Sequence, residues 1–155
     1  MTTDLPIVKK AMTTFLAPLG FTCRNLIWHR RMPGILQVIT LLKKKNRDAY
    51  DLDCGVQVTN PEGKIPRIDN IDLQWTIHVV VQKYDDRIKL LEALDFDIPQ
   101  TTETRIKEIL KAVDVVVMPR LETCSSRTGI KAILSGKKAQ YAPTMYLIDS
   151  DSFCK

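Results

Sequence analysis

Few side chains in this sequence are of a kind that makes or breaks covalent bonds. There are two histidines, His29 and His78, and four cysteines, Cys23, Cys54, Cys124 and Cys154. Nucleophilic catalysis needs a Ser, Cys or Thr beside a base, and the combination that offers both is His78 with Cys54 and an aspartate such as Asp53, provided the fold brings them together. The plainer alternative is a pair of hydrogen-bonded or solvated imidazoles. No GxSxG elbow, phosphate-binding GxxxxGK loop or HExxH pair occurs, and six glycines are too scattered to cradle a phosphate. The cysteines never form a CxxC pair, so the local spacing of a zinc site or a thioredoxin-type centre is missing. They read as reduced thiols of a reducing compartment. The expectation is no catalytic residue, no cofactor and no metal.

Charge is the other source of chemistry. Asp51 and Asp53 fall on one face of a strand about 7 Å apart, and with Asp48, Asp69 and Asp72 they offer oxygens to a divalent cation. Pairing with nearby lysines on a soluble sheet face explains them more simply. Asp51, Asp53 and Gln57 then make a polar stripe usable by a partner. Basic residues gather in the first third as Arg24, His29, Arg30 and Arg31, followed by Lys43, Lys44, Lys45 and Arg47. A hairpin turning at Pro33–Gly34 puts Arg30 and Arg31 near the turn and Lys43 to Lys45 at the far end, which makes two patches rather than one. Only 6% of the residues are aromatic, which is few for stacking bases. RNA or DNA binding through these strand-end residues is therefore the alternative reading. Lysines at strand ends also guard against edge pairing.

The elements that must position these groups belong to a single domain, 1–155, because 155 residues leave little room for two. The chain is 45% hydrophobic and 26% charged, which excludes disordered, collagenous and coiled-coil classes. A net charge of +5 permits nucleic acid without requiring it. The longest apolar run, Val115 to Met118, is far short of the roughly 20 residues that span a bilayer. A charged Asp4 and Pro6 stand where a signal peptide would be apolar, so a cytoplasmic protein without membrane contact is expected.

Asp4 can cap a first helix, with Val8, Met12, Phe15, Leu16 and Leu19 forming its buried stripe and Gly20 ending it. Strands are expected at Phe21–Arg31, at Ile35–Leu42, where β-branched residues suit a strand covered on both sides, and at Tyr50–Thr59, whose strict alternation predicts one buried and one wet face. A fourth is expected from Gln74 to Val81, with His78 mid-strand on the polar side. Pro61, Gly63 and Pro66 make Asn60–Asn70 a long connection of the sort that often carries recognition. Past Tyr84 the period becomes helical. Ile88, Leu91 and Leu94 share one face, and a longer helix capped by Thr102 is expected to end or kink at Pro119. A further helix spans Ser126–Leu134 and stops at Gly136. Tyr146, Leu147 and Ile148 can add an edge strand, and 149–155 reads as frayed. The fold predicted is α+β, a four-stranded antiparallel meander covered by an N-terminal helix and two or three C-terminal helices.

Four segments carry a family resemblance: LAPLGF (Leu16 to Phe21), the Trp28–His29–Arg30 step, LQVITLLKK (Leu36 to Lys44) and YDLDCGVQV (Tyr50 to Val58). Together they resemble the opening of the bacterial family called domain of unknown function 4304, over about the first 60 residues. No enzymatic activity is established for that family, and small helix-plus-sheet proteins of this kind often serve as immunity partners of bacterial polymorphic toxins. The resemblance thus implies a non-enzymatic antitoxin that occludes the active site of a cognate toxin domain in bacterial competition. Inhibitors of nucleases are commonly acidic whereas this chain is basic, so an acidic or neutral toxin domain is the better partner. The expected contact residues are Arg30, Arg31, Lys43, Lys45, Asp51, Asp53, Arg67 and His78, with Trp28 and Trp75 in the core.

Overall fold

The computed structural model describes residues 4–149, 151 and 153. They build an α+β fold around one antiparallel sheet whose strands lie side by side in chain order: β1 (Thr22–Arg24), β2 (Ile27–Met32), β3 (Ile35–Lys43), β4 (Tyr50–Gln57), β5 (Leu73–Thr76) and β6 (Met145–Tyr146). The sheet has six strands, not the four expected. Phe21–Arg31 is split by a tight turn at Asn25, which takes a left-handed φ of 57° that Asn tolerates better than most residues, and Arg24 pairs with Ile27. The tail supplies the other edge, pairing Met145 with Gln74. The strand expected to reach Val81 stops at Thr76. Ile77 is buried in the core, but the chain turns there into a short helix α2 (Ile77–Val80) that leaves Val79 exposed. The Pro33–Gly34 turn stands as read, with Gly34 at φ 74°.

Helices cover one face. In α1 (Asp4–Leu16) the residues Val8, Met12 and Leu16 are buried. A 3₁₀ turn at Ala17–Leu19, closed by Gly20 at φ 94°, shifts the phase and leaves Leu19 exposed. After α3 (Tyr84–Leu94), helix α4 (Thr102–Ala112) starts one residue earlier than read, because it is Thr101 whose hydroxyl accepts from the N–H of Thr104 at 3.1 Å. Pro119 does not end this run. A π turn at Val113–Val117 widens the helix just before it, so that Pro119 sits in the first turn of α5 (Met118–Thr123), where its missing N–H is tolerated. Ser126 caps α6 (Arg127–Leu134) by accepting from the Gly129 N–H. In the tail expected to fray, Phe153 is buried with the Arg127 guanidinium 4.1 Å over its ring; Cys154 lies outside the described residues.

Trp28 and Trp75 are fully buried between sheet and helices, and each indole N–H has a partner, Thr13 Oγ1 at 3.0 Å and the Tyr141 carbonyl at 2.9 Å. A second, smaller core lies on the opposite face, where Leu36 and Val38 of β3 are covered by Ile68 and Ile71 of the connection after β4. β3 is therefore buried on both sides from Ile35 to Leu41, as its composition implied. Gly55 allows this approach, since a Cβ there would lie 2.7 Å from Ile71 Cγ2.

Candidate functional site

The register sorts the charged side chains. Arg24, Ile27, His29 and Arg31 share the face of Leu36, Val38, Thr40 and Leu42, which is also the face of Asp51, Asp53, Gln74 and Thr76. Helices cover the other face, so whatever the sheet presents outward comes from this set and from the 58–72 connection laid across it. That connection is held firmly. At its neck the Asp72 carboxylate accepts the N–H groups of Val58 and Thr59, each at 2.8 Å. At its tip Arg31 donates to the carbonyls of Pro61 and of Gly63, the latter at 2.8 Å. The result is a ridge with a groove on each side. One groove, of about 640 Å³, is lined by Arg24, Asn25, His29, Arg31 and Lys64 over Ile27 and Ile65. The other, of about 190 Å³, runs between Pro66–Asp69 and the sheet residues Val38, Thr40, Leu42 and Gln74.

A polar cluster lies beyond the second groove. Asp53 stands between its cross-strand neighbours Thr40 and Thr76. It is only 3% exposed, so the wet stripe expected on β4 is wet at Asp51 and Gln57 alone. Gln74 Nε2 donates to Asp53 Oδ2 at 3.4 Å, while Oδ1 has no hydrogen-bond partner. Burial and then the Asp51 charge push the Asp53 carboxyl up to about 6, and Thr76 and Gln74 oppose them only in part. Asp51 faces Lys44 Nζ at 3.7 Å and His78 Nδ1 at 3.8 Å. Burial holds His78 below the usual histidine range, Asp51 opposes this, and Lys44 and Arg87 reinforce it, so the imidazole is neutral at pH 7.

A neutral imidazole beside a carboxylate can relay a proton, but the cysteine that might have used it is elsewhere. Cys54 alternates to the helix-covered face of β4, fully buried, with its thiol pushed well above the ordinary range by desolvation. Among the described residues no group of three or more His, Cys, Asp or Glu is placed to hold a metal ion, and no helix is long and apolar enough to cross a membrane.

The eight residues named from the sequence do not form one surface. Asp51, Asp53 and His78 come together, with His78 carried on α2 rather than mid-strand. Arg31 pins the ridge, and Arg67 lies on it, exposed beside Asp69 at 3.4 Å. Lys43 and Lys45 sit at the far end of the β3–β4 hairpin, Lys43 donating to the Arg47 carbonyl. Arg30 points to the helix side. It donates to Gln37 Oε1 and the Leu19 carbonyl, both at 2.8 Å, reaches Glu122 at 3.4 Å and lies 4.6 Å over Phe21. Gln37 in turn donates to the Leu121 carbonyl, so Arg30 clips β2 to the helices. Sequence reasoning missed Lys64, Thr40, Gln74 and the clamp at Asp72, none of which stands in a recognisable motif. No protein-family model, curated protein or solved structure matches this chain, and what the surface does is read from its own geometry.

Proposed function

We propose that this chain is a non-enzymatic protein-binding module, an immunity protein that acts in the cytoplasm by covering the active site of a cognate toxin domain. The observation that carries this reading is the ridge of residues 58–72, anchored at neck and tip and flanked by two grooves on the sheet face away from the helices. A ridge already ordered in the free protein loses little conformational entropy on docking, which is the condition for tight occlusion. The resemblance of the opening segments to domain of unknown function 4304, together with the frequent use of small helix-plus-sheet proteins as immunity partners, supports the same assignment. Separation of Cys54 from Asp53 and His78, on opposite faces of β4, favours binding over catalysis.

The test is to co-express the chain with the C-terminal domain of the protein encoded immediately upstream and to measure both growth and complex formation. The reading expects relief of toxicity and a stoichiometric complex burying on the order of 1,600 Å² in total. Absence of any complex, or unaided turnover of a small metabolite by the purified chain, overturns it.

A further inference from the structure

The two grooves beside the ridge differ in charge. The one on the β1–β2 side is lined by Arg24, Arg31, Lys64, His29 and Asn25, with no carboxylate among its lining residues, and its floor is the aliphatic pair Ile27 and Ile65. Arg24 and Lys64 are exposed. The His29 imidazole is partly buried, and its Nδ1 has no hydrogen-bond partner. On the far side of the ridge the cation Arg67 is paired with Asp69 at 3.4 Å, and Asp51 and Asp53 stand beyond that groove. The ridge therefore divides the face into a cationic groove with a greasy floor and a polar, partly acidic half.

We propose that the groove bounded by Arg24, His29, Arg31 and Lys64 is the docking site for an acidic segment of the partner protein, a strand or loop presenting carboxylates to Arg24 and Lys64 and aliphatic side chains to Ile27 and Ile65. This rests on the protein-binding reading above. Charge complementarity selects the sign of the partner, and the floor selects its kind. A phosphate backbone has nothing to bury against Ile27 and Ile65, no Phe, Tyr or Trp lines the groove for a base to stack on and the one ring present, the His29 imidazole, is partly buried, and the guanidinium of Arg31 already donates to Pro61 and Gly63 instead of being free to fork a phosphate. A peptide with alternating acidic and aliphatic residues satisfies walls and floor together, because successive side chains of an extended segment point to opposite sides. Cations this exposed steer encounter as well as hold the complex, so both effects weaken with salt.

The experiment uses the full chain, its Arg24→Glu/Lys64→Glu double variant and, as a control, Lys10→Glu, exposed on α1 on the helix side of the sheet. Neither Arg24 nor Lys64 is buried, and urea unfolding checks that all three proteins fold equally. Fluorescence anisotropy is read with a labelled decapeptide of alternating Glu and Leu, and with a labelled decauridylate RNA. The expected result is that the peptide binds the wild type and the Lys10→Glu variant alike, loses about tenfold or more in affinity on the double reversal, and is not displaced by the RNA. Equal peptide binding by the double variant, no peptide binding at all, or RNA binding tighter than the peptide and competing with it overturns the acidic-segment assignment. The upstream toxin domain separates the two levels: a complex that the double reversal leaves unweakened removes this groove while the protein-binding reading stands, and no complex with the wild type removes both.

Discussion

Gln57 and Asp72 lock the two ends of the ridge together: the Asp72 N–H donates to Gln57 Oε1 at 2.9 Å while the Asp72 carboxylate receives the N–H groups of Val58 and Thr59. Asp72 is buried, so losing its carboxylate leaves two backbone donors without a partner away from water. Asp72→Ala is expected to cost about 2–4 kcal/mol, read from urea unfolding, and to speed hydrogen exchange at the amides of residues 58 and 59. Unchanged protection at those two amides would show that the neck is held by something else.

Arg105 is the corresponding lock on the helix side. It is 2% exposed, and its guanidinium donates to the carbonyls of Ala93, Asp95 and Ile98 at 2.8–3.0 Å, which closes the C-terminal end of α3. Its Nε faces Asp4 at 3.6 Å and its plane lies 4.6 Å over Phe96. Arg105→Met strands those three carbonyls, with an expected loss of about 3–5 kcal/mol. Arg105→Lys should recover less than half of it, because a single ammonium cannot reproduce the fork. Equal midpoints for Lys and wild type in urea would refute the geometric role.

Asp53 gives the protein a pH dependence of definite sign. Its carboxyl titrates near 3.8 in the unfolded chain and is raised to about 6 in the fold, so the native state holds a proton that the unfolded state has lost. The stability this contributes is complete below about pH 4 and disappears as the pH rises through 6, a change of about 3 kcal/mol. Asp53→Asn, whose amide oxygen can still accept from Gln74, removes that titration. The stability of the Asn variant relative to wild type should climb across pH 4 to 7 by about this amount, and parallel urea midpoints over that range would contradict the raised, buried carboxyl.

The buried thiols should be silent in the native state. Burial pushes Cys124 up to about 12 and Cys54 higher still, leaving almost no thiolate at pH 8, and both side chains are inaccessible. With Ellman's reagent and peptide mapping, Cys54 and Cys124 are expected to react only after unfolding in guanidinium. Cys23, half-buried in an edge strand, should react without it. Fast native labelling of Cys54 would mean that the sheet–helix core opens readily.

Local punctuation was legible because it acts within a few residues. Gly20 and Gly136 close helical segments, Pro33–Gly34 makes its hairpin, and the aliphatic run of β3 announced a strand buried on both faces. Errors arose where distant groups compete with a local pattern. The alternation through Ile77 and Val79 suits a strand, but the chain leaves β5 after Thr76. Pro119 breaks an α-helix, yet the π turn before it gives the ring room. Asp53 alternates as a wet residue but is enclosed between Thr40, Thr76 and Gln74.

By itself, the order of residues determined the α+β class, the positions of most helices and strands and the tryptophans of the core, since each follows from hydrophobic period and turn chemistry over a short span. Only the tertiary structure decided which way each charge faces. One step of strand register separates Arg30, clipped into the helix layer, from Arg31, which pins the ridge. Folding the 58–72 connection back onto Leu36 and Val38, through contacts no local pattern encodes, made the grooves on either side of it.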